Sequence, residues 1–151
     1  MKIFAVDPGL KTGWAWYLDG IVESGVQDFG LKRGESKGMR FFNFRVWLEL
    51  MLHKCRPDIV IYEMSHHRGG YATELLVGLV TRIQEVCDIL KMNYRPVHSA
   101  ALKKAVTGKG NTKKEEMLTL ARKKWGDDII DDNEADARWL IEWAKAEYGL
   151  A

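Results

Sequence analysis

The sequence has little cysteine: Cys55 and Cys87 are the two in 151 residues. Two isolated thiols build no disulfide framework, and their spacing suits no zinc site. Both read as reduced thiols on apolar helix faces. Long hydrophobic runs are missing as well. No segment approaches the roughly 20 apolar residues of a membrane span, and the N-terminus leads straight into a strand-like run without a signal-peptide pattern. The expected location is the cytoplasm, with no membrane partner. There is no internal repeat and no low-complexity segment. What is present is a 46% hydrophobic share with six tryptophans, the composition of a globular chain that buries a core. A single domain spanning 1–151 is expected, with no separate DNA-binding appendage.

Net charge is also small, +2, but it is segregated. Between His98 and Gly126 lie Lys103, Lys104, Lys109, Lys113, Lys114, Arg122, Lys123 and Lys124, against Glu115 and Glu116 alone. From Asp127 onward, Asp127, Asp128, Asp131, Asp132, Glu134, Asp136, Glu142 and Glu147 face only Arg138 and Lys145. Two readings follow. The segments can neutralise each other, or phosphate-binding lysines can stand beside a cation-binding acidic pocket. Charge alone does not choose between them.

Lys2 to Asp7 (KIFAVD) is a short apolar run ending on an acid and broken by Pro8-Gly9. Thr12 to Leu18 and Gly20 to Phe29 read as two further strands joined at Asp19-Gly20, giving a three-strand antiparallel meander. A polar loop over Leu31 to Gly38 precedes a helix over about Met39 to Lys54, with Phe41, Phe44, Leu48 and Leu52 at helical spacing. Asp58 to Glu63 is again a strand that runs into an acid. After His66-His67-Arg68-Gly69-Gly70, a long helix spans Ala72 to Lys91, with Leu75, Leu79, Ile83, Val86 and Leu90 inward. A short strand over Tyr94 to Val97 is followed by helices at Ser99 to Val106, Lys113 to Trp125 and Asn133 to Tyr148. This order predicts an α/β fold with a mixed central sheet, three antiparallel strands and then parallel ones, flanked by helices.

Asp7 and Glu63 share one architectural position, the C-terminal end of an apolar strand. Open α/β sheets hold ligands outside those ends, so the two acids are expected in one cleft. Singly, each has a structural alternative: Asp7 can stabilise a turn, and Glu63 can cap the next segment. A third acidic group, Asp131-Asp132-Asn133-Glu134-Ala135-Asp136, opens the last helix. Asp and Asn are favoured N-caps, which accounts for one acid there. It does not account for Asp136 on the apolar side between Ala135 and Trp139, where a carboxylate is either ion-paired or a metal ligand. Oxygen ligands converging from two strand ends and a helix match Mg²⁺ or Mn²⁺, and the matching chemistry is phosphodiester hydrolysis. A lysine would then offset charge on the pentacovalent phosphate.

The pieces, in order, resemble RuvC-type Holliday junction resolvases of the RNase H-like superfamily. The likeness runs over most of the chain. It begins with Asp7-Pro8-Gly9 followed by Thr12-Gly13-Trp14 and continues with the strand ending on Glu63. Its most specific stretch is Leu102 to Met117 (LKKAVTGKGNTKKEEM), two lysine-bearing helices around a Gly-x-Gly turn, and it closes on Ala135-Asp136-Ala137. The resemblance implies metal ligands at Asp7, Glu63 and Asp136, and two Mg²⁺ ions with Mn²⁺ able to substitute. It also implies phosphate-facing lysines at Lys103 and Lys114, with Lys104, Lys109 and Lys113 in the same basic stretch and Lys114 assisting catalysis. The implied activity is paired nicking of four-way or other branched DNA by a homodimer, with the Ala72 to Lys91 helix as candidate contact. The stripe on that helix can equally be core. A chain of this size suits a phage or prophage as well as a bacterial chromosome.

Two departures from the family pattern stand out. The fourth ligand position falls on Asn133, whose amide carries no charge, and Asp132 beside it is the other candidate. The position where the family commonly carries a Phe that wedges into the junction is His66, with Arg68 and Tyr71 nearby. A base-stacking role for His66 or Tyr71 and a plain polar surface loop both remain open. Two enzyme alternatives share the same metal chemistry, a nuclease for flaps or forks and one for RNA–DNA hybrids. A catalytically weak junction-binding module is a third reading. An actin-like or kinase-like ATPase is disfavoured, because 151 residues leave no second lobe to close over nucleotide.

Overall fold

Lys2–Asp7 carries apolar side chains on both of its faces, so a sheet built around it needs cover on both sides. The computed structural model, which describes residues 1–64 and 69–151, has that cover. Strands β1 (Lys2–Asp7), β2 (Lys11–Leu18) and β3 (Ile21–Asp28) form the antiparallel meander, turning tightly through Asp19 and Gly20, both at positive φ. Helix α1 (Lys37–Cys55) leads to β4 (Ile59–Met64), and α2 (Tyr71–Ile89) leads to β5 (Asn93–His98). Three helices close the chain: α3 (Ser99–Thr107), α4 (Lys114–Trp125) and α5 (Asp132–Glu147). The sheet order is β3-β2-β1-β4-β5, with β1, β4 and β5 parallel to one another. The expected fold class is the observed one. Element ends differ by one or two residues; α1, for example, begins at Lys37 and takes the last two residues of the expected loop.

On one face, Ile3, Ala5, Ala15, Tyr17, Ile61 and Val97 pack beneath α3, α4 and α5 through Leu102, Met117, Ala121, Leu140 and Ile141. On the other, Phe4, Val6, Trp16, Val60 and Tyr62 meet α1 and α2 through Phe44, Leu48, Leu52, Leu79, Ile83 and Val86. Each fully buried Leu or Ile here contributes roughly 1.5–3 kcal/mol from removal of apolar surface from water. The apolar stripe of α2 is therefore core rather than an outward contact face. Leu79, Ile83 and Val86 are fully enclosed, whereas Tyr71, Val77 and Ile89 are the large exposed hydrophobic residues of that helix. Among the described residues no helix is long and apolar enough to cross a membrane.

Glycine fixes one close approach that bears on the site. A Cβ on Gly13 would lie 1.8 Å from the carbonyl oxygen of Asn133. Only a residue without a side chain lets the first turn of α5 rest on β2 at this depth. Small residues on both sides, Ala5 and Ala15 below with Ala135 and Ala137 above, keep the contact tight. The same contact sets the height at which Asp136 reaches the strand ends.

Candidate metal centre

The cleft is assembled from the C-terminal ends of the two central strands. β1 and β4 lie side by side with Val6 opposite Tyr62, one residue before Asp7 and Glu63. Parallel pairing in this register delivers both acids to one edge. The hairpin after Asp7 is held by Thr12, fully buried, whose hydroxyl donates to the Gly9 carbonyl at 2.7 Å. The third acid arrives on α5. Asp131 caps that helix by accepting from the Asn133 backbone N–H at 2.7 Å, which starts the helix at Asp132 and places Asp136 in its second turn. Further along the outer side of α5, Arg138 donates to the Ser24 hydroxyl at 2.6 Å, and Ser24 donates to Glu134 at 2.7 Å. These contacts fasten α5 to β3.

One ligand oxygen from each of Asp7, Glu63 and Asp136 lies within 4.8 Å of the other two. They line a cleft of about 230 Å³ together with Ser99, Lys103, Lys114, Asn133, Pro8, Gly9, Leu76 and Met117. Three carboxyl groups this close resist ionising together. Burial first, then Glu63 and Asp136, hold the Asp7 carboxyl well above the usual carboxylate range, and a hydrogen bond with Glu63 adds to this. Burial and the Glu63 charge push Asp136 up to about 8, while Lys114 and Lys103 pull it partly back. Partial burial opposes the charged form of Lys114, but the carboxylates of Asp132, Asp7 and Asp136 outweigh it and raise its pKa. Ionised together, the three acids and Asp132 would carry more negative charge than Lys103 and Lys114 neutralise. A hard divalent cation would supply the missing counter-charge, and the three converging carboxylates fit it.

Asn133 and Asp132 separate clearly. Asn133 lines the cleft, whereas Asp132 faces Lys114 at 3.5 Å in a partly exposed ion pair. Lys103 and Lys114 both reach the cleft, from α3 and α4. Lys104, Lys109 and Lys113 do not line it; all three are exposed along the helix–turn–helix that follows β5. That turn is rigidly specified. Gly108 takes a φ of 81° to end α3, and Thr112, buried, bonds both Thr107 and the Lys109 carbonyl, the latter at 2.8 Å. Tyr71 opens α2 with a half-exposed ring, its hydroxyl accepting from buried Arg40 and the Lys37 ammonium 5.6 Å from the ring centre. His66 and Arg68 lie outside the described residues. The segregated charges meet in two places. Lys124 pairs with Glu142 at 3.0 Å, while Lys103 and Lys114 face the acidic pocket.

Ser99 is the cleft residue that sequence reasoning missed. Its hydroxyl donates to Glu63 Oε1 at 2.5 Å. The link depends on β4–β5 pairing, where Glu63 stands opposite Val97 and Met64 opposite His98, so that Ser99 comes next. No local sequence signal marks it.

The fold is RNase H-like, a five-stranded mixed sheet with acids at the ends of its central strands. It is the fold of the RuvC structures. The chain superposes on Thermus thermophilus RuvC, solved in complex with a Holliday junction substrate, with a TM-score of 0.78 at 18% identity over 97% of this chain and 96% of that one. A second structure of Thermus thermophilus RuvC matches with a TM-score of 0.71, again at 18% identity, over 100% and 98% of the two chains. The yeast mitochondrial Holliday junction resolvase matches with a TM-score of 0.59 at 14% identity over 91% and 75%. No protein-family profile and no curated protein matches the sequence.

Proposed function

We propose that this protein is a metal-dependent, structure-selective endonuclease that resolves four-way or other branched DNA by paired nicks. The observation that carries this reading is the convergence of Asp7, Glu63 and Asp136 with Lys103 and Lys114 in one cleft, on a fold shared with resolvases. One of those neighbours was solved on a Holliday junction.

Asp7, Glu63 and Asp136 would hold Mg²⁺, two ions in the full site, with the Asn133 amide as a neutral fourth ligand and Mn²⁺ as an alternative. Bound there, divalent metal supplies Lewis-acid stabilisation and a nucleophilic water for phosphodiester hydrolysis. The remaining work belongs to the chain. Lys114 keeps its proton and stands at the mouth of the acidic cluster, placed to offset charge that accumulates on the phosphate as it is attacked. Asp132 restrains that ammonium without entering the cleft. Lys103, from α3, faces Asp136 and would meet the incoming backbone. Lys104, Lys109 and Lys113 extend the positive surface along the hairpin for further phosphates, and His66, Arg68 and Tyr71 are assigned to the junction bases. Paired nicking calls for two copies of the site, hence a homodimer acting on DNA in the cytoplasm.

The neutral Asn133 favours one second reading, a junction-binding module with weak metal affinity and little turnover. Labelled four-way, flap, fork, RNA–DNA hybrid and linear substrates, incubated with Mg²⁺, Mn²⁺ or EDTA, separate the readings. The expected result is symmetric nicks across the four-way junction that vanish in EDTA. Asp7→Asn should abolish cutting and leave junction affinity intact. Binding without nicks in either metal sinks the enzyme reading, and preferred cutting of flaps or hybrids replaces the substrate.

A further inference from the structure

Glu63 is the most enclosed of the three acids, 8% exposed, and a buried carboxylate needs donors to hold its orientation. Ser99 approaches it as a donor: its hydroxyl lies 2.5 Å from Glu63 Oε1, the length of a hydroxyl bonded to a carboxylate. Among the described residues lining the cleft, Ser99 is the single hydroxyl.

Its placement follows from chain geometry. β5 runs parallel to β4, and Ser99 is the first residue of α3, one step past the His98–Met64 pair. One turn later on the same side, Lys103 lines the cleft. The short helix therefore brings a neutral donor to Glu63 and a cation towards Asp136.

We infer that Ser99 is a positioning residue for Glu63: it occupies one lone pair of Oε1, fixes the plane of the carboxylate, and holds it in the ligating orientation. The inference rests on the metal-site reading above and adds to it a residue that does not itself bind metal. Groups that orient ligands in this way are worth about 10- to 100-fold in metal affinity or activity when removed.

The test is Mn²⁺ affinity of the full chain, read by electron paramagnetic resonance of free Mn²⁺ and by calorimetry, for wild type, Ser99→Ala, Ser99→Thr, Glu63→Gln and the Ser99→Ala/Glu63→Gln pair. Ser99→Ala should weaken Mn²⁺ binding at least about tenfold. Ser99→Thr, which keeps the hydroxyl, should recover most of it. In the Glu63→Gln background the Ser99→Ala change should have little further effect, because its influence passes through Glu63. Junction affinity in EDTA and metal-free melting report any general loss of structure, which Ser99→Thr would not repair selectively in metal affinity. Wild-type affinity in Ser99→Ala, or fully additive losses in the double variant, overturns the role of Ser99. Failure of the wild-type chain to bind Mn²⁺ overturns the metal site itself, and this assignment with it.

Discussion

Replacing Asp136 with asparagine should make the metal-free protein more stable while removing one of the three proposed metal ligands. Burial and the nearby Glu63 charge raise the Asp136 carboxyl from 3.8 to about 8. Each unit is about 1.4 kcal/mol of preference for the protonated form, so the cost of ionising Asp136 in the fold has a ceiling of roughly 6 kcal/mol. The cleft is open to water, and Lys114 and Lys103 face it, which brings the expected gain down to about 2 kcal/mol. For a chain of this size that corresponds to a rise in melting temperature of about 4–8 °C.

The direction with pH follows from linkage. The folded pKa lies above the unfolded one, so the folded state binds the extra proton. The Asp136 contribution therefore costs nothing below about pH 4 and grows as pH rises to about 8, where it levels off. Wild type in EDTA should lose stability across that interval, and Asp136→Asn should lose distinctly less. Excess Mg²⁺ should return stability to wild type, by about 2.7 kcal/mol at a hundred times the dissociation constant, and leave the variant nearly unmoved. Calorimetric melts at pH 5 to 9, with EDTA or Mg²⁺, measure all of this. If Asp136→Asn melts below wild type at pH 8 in EDTA, the three acids do not repel one another as their geometry requires, and the reasoning fails.

Three further changes probe the surrounding parts. Lys114→Ala should slow cleavage by about 100-fold or more with a much smaller effect on Mn²⁺ affinity; an unchanged single-turnover rate removes Lys114 from the chemistry. Gly13→Ala puts a Cβ 1.8 Å from the Asn133 carbonyl, which should cost about 3 kcal/mol in urea unfolding and lower metal affinity by displacing Asp136. A neutral result there would mean that α5 does not rest on β2 as described. Asn133→Asp adds a fourth charge to the cleft and should tighten Mn²⁺ binding about tenfold, whereas Asp132→Ala should alter affinity far less. Equal effects would contradict the separation of these two side chains.

Much of this arrangement was legible in the residues because it rests on periodicities. Asp7 and Glu63 each terminate an apolar run of strand character, and parallel pairing of β1 and β4 makes their meeting a matter of register. Asp136 stood out as an acid on the apolar side of a helix. Distances between segments far apart in sequence were not legible. Ser99 and Glu63 are 36 positions apart, and a serine where a strand passes into a helix is an ordinary sight. Thr12 and Gly13 belong to the motif on which the resemblance stood, yet their reasons are three-dimensional: a buried hydroxyl that ties the hairpin, and a missing Cβ that admits the carbonyl of Asn133. The stripe of α2 carried two readings for a similar reason. Helical spacing shows that Leu79, Ile83 and Val86 share a face, and the sheet decides that the face is core.

The fourth ligand position ties these points together. Asp132 and Asn133 are adjacent in the first turn of α5, four and three residues before Asp136, so both stand near the cleft and flank Asp136 from opposite sides. Gly13 receives the Asn133 backbone carbonyl, Asp131 accepts from the Asn133 backbone N–H, and Asn133 lines the cleft beside Asp136. Asp132 is left at the flank, where its carboxylate meets the Lys114 ammonium. An acid at position 133 would deepen a charge conflict already large enough to raise Asp7 and Asp136 in the metal-free protein. A neutral amide there would limit that conflict at the expense of cation affinity, while Asp132 pairs instead with Lys114. A site arranged this way should be less self-repelling when empty and more demanding of metal concentration than one with four carboxylates. Asn133→Asp exchanges one property for the other, so a variant that gained metal affinity without losing metal-free stability would break this account of why the position is neutral.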